Sequence, residues 1–374
     1  MQTKQPMVSV VIPTKDRLKL LKNALQSLER QTYPHWEALV VDDGSTDGTI
    51  SWFTENNAFS GRIRLLISSK LGASACRNRG LSESGGEFIL FLDSDDLLMP
   101  RCLEDRLASF FRSPLLDFVL GEASLFLETP GDTDITFGGG QRQHDLERMI
   151  ALHYSWQTSA PLWRRSFLES IGGWDESLGV AQDVDLMSRA LVQGPRYERL
   201  KKVDYHYRIH PGGLGSKTAN SAHVPDHLRR LDTLIHLLEE RGMLNSRIRH
   251  SLAGNYLWLA QNLMIEGKFQ QSLSVWKLAL DAGLASVPEH QLGKALLWCV
   301  RKHRMNLFIP FFIILMPRGS LIQPSLDPMN DEHTDRHGDY LPMHFPLRCR
   351  LFGTTTHFSF RKWVSYIAAR VLRT

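Results

Sequence analysis

The sequence predicts an α/β protein, a doubly wound and mostly parallel sheet followed by a helical C-terminal region. Three observations lead there. Over the first hundred residues, short β-branched runs alternate with stretches whose leucines recur at helical spacing. The turns that close those runs are rich in Gly, Ser, Thr and Asp, residues that let a strand turn sharply into a helix. From about residue 225 to 305 the strand pattern stops and helical periodicity continues alone.

Taken in order, VSVVIP (residues 8–13) is short, branched and apolar, as a buried strand should be. Residues 16–31 then place Leu18, Leu21, Leu25 and Leu28 on one helical face. EALVVDD is a second strand, closed by the turn GSTDG, and residues 46–56 form another helix. RIRLLIS is a third strand, followed by a helix over 73–84 that Gly72 opens. EFILFLD is a fourth, and Pro100 suits the first turn of the next helix. Residues 115–220 are mixed: LDFVLGE reads as a strand, GDTDITFGGGQ as a Gly-rich loop, AQDVDLMSRALVQG as a helix and YHYRIHPGG as a strand exit. Beyond them, HLRRLDTLIHLLEERG is helical, and NYLWLAQNLMIEGKFQQSLSVWKLALDAG has the spacing of one tetratricopeptide-like hairpin or of a generic helical cap. Residues 318–345, rich in Pro, Asp and His, read as a linker. The tail FRKWVSYIAARVLRT reads either as a basic amphipathic helix able to rest on an anionic membrane or as a solvated terminal helix.

Composition narrows the function classes. The chain has 374 residues, 43% hydrophobic and 22% charged, enough to bury a sizeable core. A net charge of +4, without a dense Lys/Arg stripe interleaved with aromatics, argues against a nucleic-acid partner. Cys76, Cys102, Cys299 and Cys349 form no paired framework, which favours a reducing compartment. No secretory pattern is evident at the start, and the most apolar run, residues 307–316, is too short to span a bilayer. The expectation is a cytoplasmic protein, at the inner face of the membrane if the tail is the amphipathic helix and free of it if the tail is solvated.

The chemistry gathers at the strand ends, where open α/β sheets bind ligands. In FILFLDSDDLLMP an apolar strand runs into Asp93, Asp95 and Asp96 within four positions, and so many like charges call for a positive partner. Asp93 and Asp95, two apart on a segment leaving the sheet, suit a hard divalent cation such as magnesium or manganese; the same residues would also serve as a solvated helix cap. In VVDDGSTDGT, Asp43, Ser45, Asp47 and Gly48 match the opening of a calcium-binding loop, but the required glutamate is replaced by Thr54 and a strand precedes the loop, so calcium is rejected. Asp43 is then a strand-end acceptor for a polar ligand such as a nucleobase. Arg77 and Arg79 sit on the first turns of a helix and are candidates for a phosphate. Asp183 and Asp185 are candidates for a general base, or simply helix N-terminal acids. His210 is a candidate metal or phosphate ligand, and a structural histidine otherwise.

The order and spacing of VSVVIPTKDR, VVDDGSTDGT, GASACRNRG, GEFILFLDSDD and IGGWDESLGVAQDVDL resemble the inverting family 2 glycosyltransferases, which have an A-type glycosyltransferase fold. The likeness covers roughly residues 7–215. It implies that the Pro13–Thr14 turn, Asp43 and Arg77 hold a nucleotide-sugar donor. Asp93 and Asp95 match the Asp-x-Asp signature, Asp93 on ribose or metal and Asp95 on the metal, with His210 as a further metal or phosphate contact. Asp183 matches the catalytic base. The resemblance further implies a saccharide or lipid-linked acceptor. Trp156, Trp163 and Trp174 fall in the acceptor half, where one could stack on a sugar while the others pack the core. Three departures from the family pattern stand out: the usual Asn-x-Gly before the Arg-Asn segment reads Lys70-Leu71-Gly72, Cys76 precedes Arg77 in the Ala-Arg-Asn slot, and Gln182 stands where a glutamate precedes the base. The implied organisation is a catalytic domain over 1–220, a helical region over 221–317, and a linker with basic tail over 318–374. Gln182 and the helical region also suit a degenerate transferase domain acting as a scaffold. A nucleotidyltransferase would need a Gly-rich basic loop near the start, which VVIPTKDRLK lacks.

Overall fold

A computed structural model of the chain describes residues 5–55, 61–69, 71–138, 144–152, 156–209 and 220–303. The described residues fall into two compact units, one of residues up to 209 together with 222–255, the other of residues 220–221 and 256–303. The first unit thus takes in residues 222–255, beyond the boundary at 220 read from the sequence.

The first unit is built on a nine-stranded sheet. Strands β1 (Val8–Thr14), β2 (Trp36–Asp42), β3 (Ile63–Ile67) and β4 (Phe88–Phe91) lie parallel in the order β3-β2-β1-β4. Helices α1 (Leu18–Glu29), α2 (Thr49–Glu55) and α3 (Ala73–Glu83) make the connections. Val8, Val10, Val11 and Ile12 of β1 are fully buried, as are Leu21, Ala24, Leu25 and Leu28 of α1. A strand covered on both faces has no solvent side to supply an alternating pattern, so its sequence is a continuous apolar run. Helix α3 lies close on β1 because Gly80 lacks a side chain; a Cβ there would sit 2.3 Å from Val11 Cγ1. The chain winds one way from β1 through β2 and β3, and the other way into β4. That reversal puts the switch point at the carboxyl ends of β1 and β4, where ligands settle in such sheets.

Beyond β4 the sheet becomes mixed. The remaining elements are β5 (Leu97–Leu98), α4 (Cys102–Arg112), β6 (Phe118–Phe126), β7 (Thr136–Phe137), α5 (Asp145–Ile150), β8 (Pro161–Arg164), α6 (Arg165–Ser170), α7 (Gln182–Val192) and β9 (Tyr197–Arg208). The order continues β4-β8-β6-β9-β5, with β7 on β6; β8 is antiparallel to both neighbours and β9 parallel to β6. A fully buried ion pair joins these layers: Arg106 Nε and Nη2 donate to the two oxygens of Asp204 at 2.7 and 2.9 Å, and Nη1 donates to the Ser159 carbonyl at 3.0 Å. Gly121 makes room for it, since a Cβ there would lie 2.0 Å from Asp204 Oδ1. Helix α8 (Val224–Glu240) opens on a proline, and Arg230 Nη2 donates to Asn255 Oδ1 at 2.8 Å within the same unit.

The second unit contains α9 (Ser246–Ile265) from Tyr256 onward, α10 (Phe269–Asp281) and α11 (Val287–His303). Gly267, with φ +81, makes the turn between α9 and α10. Trp276 is fully buried, its indole nitrogen donating to the His290 carbonyl at 2.9 Å. Gly293 lets α11 reach that ring, since a Cβ would come within 2.4 Å of it. The hairpin read from the sequence is thus closed by a third helix. Among the described residues no helix is long and apolar enough to cross a membrane. The linker and basic tail lie outside the described residues.

Candidate active site

The site starts from the turn that leaves β1. Asp16 has φ +50, a conformation that a side chain with its own hydrogen bonds can hold. Its amide donates to Ser45 Oγ at 2.9 Å, and its Oδ1 accepts from the Thr46 amide at 2.7 Å. Next to it the Leu18 amide donates to Asp47 Oδ2 at 2.8 Å. The segment that resembles a calcium loop is therefore a brace: Ser45, Thr46 and Asp47 turn toward the β1 exit and fix the backbone of residues 16–18.

Pro13 and Thr14 still belong to β1, opposite Val41 and Asp42, so the turn begins one residue later than the sequence suggests. Thr14 is buried, and its hydroxyl and Asp42 Oδ2 find no hydrogen-bond partner among the described residues. Asp43 accepts from the amides of Leu71 at 2.6 Å and Gly72 at 3.3 Å, with Lys15 Nζ 3.5 Å away. It closes the loop after β3 onto the β2 end.

At the end of β4 the three acids separate into different environments. Arg77 Nη2 donates to Asp93 Oδ1 at 2.7 Å, and Arg17 Nη1 donates to Asp95 Oδ2 at 2.6 Å. Asp96 turns inward and accepts from Ser159 Oγ at 2.7 Å and the Arg208 amide at 3.1 Å. Burial, then the charges of Asp95 and Asp93, push its carboxyl well above the usual range. Ser159 links this turn to the buried Arg106–Asp204 pair. Arg208 adds a second tie, donating from Nε to the Asp95 carbonyl at 3.2 Å and from Nη1 to those of Leu127 and Glu128 at 3.0 and 3.1 Å. The positive partners seen at this corner are arginines. Among the described residues, no group of three or more His, Cys, Asp or Glu side chains is arranged to hold a metal ion. His210 lies outside the described residues.

Arg77 joins the acids of β4 to helix α7. Its guanidinium lies 4.4 Å from the Trp174 ring, and Nη1 donates to Gln182 Oε1 at 3.4 Å. Gln182 Nε2 donates to the Leu178 carbonyl at 2.7 Å, which fixes the amide so that its oxygen faces Arg77. Asp183 follows directly. Burial raises its carboxyl above the ordinary carboxylate value; a hydrogen bond from the Val184 amide and the charge of Arg77 oppose that rise, while Asp93 adds to it. Asp185, by contrast, is buried and pairs with Arg189 at 2.7 Å. Tyr207 on β9 carries no motif, yet burial and then the charges of Asp96, Asp93, Asp183 and Asp95 all push its hydroxyl up. Only the sheet pairing of β9 places it there. Arg79 points elsewhere, to the Ile67 carbonyl and Ser68. All three tryptophans are buried, and Trp174 is covered by Arg77, so their role here is packing.

Asp93, Asp95, Arg77 and Asp183 thus meet beyond the carboxyl ends of the strands. Residues 9–167 match the family described as Glycosyl transferase family 2. The chain carries a family 2 glycosyltransferase domain. It is 27% identical over 273 residues to the putative glycosyltransferase EpsH of Bacillus subtilis (strain 168), covering 64% of this chain and 77% of that one. Over 108 residues it is 34% identical to the Escherichia coli UDP-Glc:alpha-D-GlcNAc-diphosphoundecaprenol beta-1,3-glucosyltransferase WfgD, covering 29% of this chain and 42% of that one. Among solved structures, S. aureus TarS 1-349 in complex with UDP-GlcNAc superposes with a TM-score of 0.55 at 22% identity, covering 73% of this chain and 79% of that one. The last likeness shows that the glycosyltransferase domain shares its fold.

Proposed function

We propose that this glycosyltransferase moves a sugar from a nucleotide-diphosphate donor to a hydroxyl of a saccharide or lipid-linked acceptor, with inversion, in the assembly of a cell-surface glycan. The observation that carries the reading is the bridge through Arg77, which touches Asp93 on the donor side and Gln182, beside Asp183, on the acceptor side. The diphosphoundecaprenol-linked acceptor of the Escherichia coli relative supports that acceptor class.

Pro13, Thr14 and Asp43 would border the nucleotide, and Arg77 its diphosphate. Asp93 and Asp95 offer hard carboxylate oxygens at the strand end, and the Asp93 side chain stays 29% exposed, so a divalent cation fits there. His210 would complete that set. Magnesium or manganese so bound would supply Lewis-acid neutralisation of charge on the leaving diphosphate. Asp183 would accept the proton of the acceptor hydroxyl as its oxygen attacks the anomeric carbon, a general-base role that typically contributes about 10²–10⁴-fold. Burial makes Asp183 the stronger base, and the charge of Arg77 opposes that rise. One displacement from the opposite face inverts the configuration.

The test is transfer from a panel of nucleotide-sugars to lipid-diphosphate saccharides, with the product's anomeric configuration read by NMR. Inverted product made by the wild type and not by Asp183→Asn is expected; transfer with retention, or full turnover by the variant, refutes the assignment.

A further inference from the structure

The charges at the β4 exit already balance in pairs. Asp93 meets Arg77 and Asp95 meets Arg17, while Asp96 turns inward to Ser159 and the Arg208 amide. A divalent cation added to such a corner would leave two uncompensated positive charges, and a diphosphate would restore the balance. On this arithmetic, cation and diphosphate should bind well together and poorly apart.

The two arginines are not equally free to take part. The Arg77 side chain is 8% exposed and packed between Trp174 and Gln182. Arg17 is 37% exposed, and it springs from a backbone already fixed by Ser45, Thr46 and Asp47. Its side chain can therefore move while its anchor stays still. The same turn follows Pro13 and Thr14, at the rim where the nucleotide is expected.

We infer that Arg17 is a resident counter-ion of Asp95 that yields the carboxylate when the donor arrives and turns its guanidinium to the donor's diphosphate. Arg17 thereby couples diphosphate binding to cation binding, an inference that rests on the donor and cation reading of this strand end. Guanidinium suits both states, since its fork matches carboxylate and phosphate oxygens alike.

The experiment is calorimetric titration of the full chain with manganese alone, with UDP or GDP alone, and with each diphosphate in the presence of manganese. Wild type is compared with Arg17→Met, Arg17→Lys and Asp95→Asn, each checked for an unchanged circular dichroism spectrum. In Arg17→Met, manganese alone should bind about tenfold tighter, because its competitor for Asp95 is gone, and diphosphate with manganese about tenfold weaker, each change equal to about 1.4 kcal/mol. Arg17→Lys should recover most of the wild-type coupling. If Arg17→Met matches wild type in every titration while Asp95→Asn loses manganese, the Arg17 inference is overturned and the cation reading stands. If wild type and Asp95→Asn alike show no manganese-dependent diphosphate binding, both are overturned.

Discussion

Replacing Arg77 by methionine tests how the two halves of the site communicate. Methionine keeps much of the stem's packing and removes the charge. The bond from Arg77 to Asp93 is charge-assisted, and such bonds contribute about 1.5–3 kcal/mol net. With Asp93 29% exposed, the lower end of that range applies. Stacking on Trp174 adds roughly 0.5–2 kcal/mol. The variant should lose about 2–4 kcal/mol, which for a domain of this size lowers the melting temperature by roughly 4–16 °C. The second consequence is in pH. Burial raises the Asp183 carboxyl and the Arg77 charge opposes that rise, so removing the charge raises it further. A base that stays protonated to higher pH moves the acid limb of kcat/KM upward, and Arg77→Lys should hold the limb near its wild-type position. Differential scanning fluorimetry and a pH–rate profile measure the two effects. A variant that melts lower with an unmoved acid limb would refute the link from Arg77 to Asp183. One that melts with wild type would refute the bridge itself.

Other outcomes follow from the same contacts. Asp183→Asn should bind donor normally and lose about 10²–10⁴-fold in transfer. Because the folded-state pKa of Asp183 lies above its ordinary value, ionisation costs stability; the cost is absent below the ordinary carboxylate pKa and complete above the raised one. At neutral pH this variant should therefore melt no lower than wild type, and a clear drop would contradict the raised pKa. Asp204→Asn strands the buried Arg106 charge and should cost about 3–5 kcal/mol, with weaker donor binding because Ser159 links that pair to the acid turn; an unchanged melt would count against the linkage. Deleting residues 359–374 should release the protein from anionic vesicles in a flotation assay, and a wild type that never binds them ends the membrane proposal.

How much of this was legible in the sequence depends on where the information sits. The strands β1, β2 and β4 are covered on both faces, so their branched apolar runs and the turns at their ends could be read directly. The acids were legible as a cluster, because Asp93, Asp95 and Asp96 are neighbours in the chain. Their partners were not: Arg17 and Asp95 are 78 residues apart, and Arg77 and Gln182 are 105 apart. Only the sheet order brings them together. The sequence was enough to reject a calcium loop at Asp43, Ser45 and Asp47, but not to show that these side chains tie backbone amides of neighbouring loops, which are distant in the chain. Tyr207 was illegible for a similar reason, as β9 reaches the acids through its pairing with β6 and β5, on the far side of the sheet from β1.

The central claim is that a nucleotide-sugar and a divalent cation share the acid turn after β4, and a thermal-shift screen of nucleotide-sugars with and without manganese tests it most directly. The matching donor should stabilise the wild type only when manganese is present, by about 2.7 kcal/mol at a hundredfold excess over its dissociation constant, and should leave Asp95→Asn unmoved. Equal stabilisation of wild type and Asp95→Asn, with or without the metal, would contradict it.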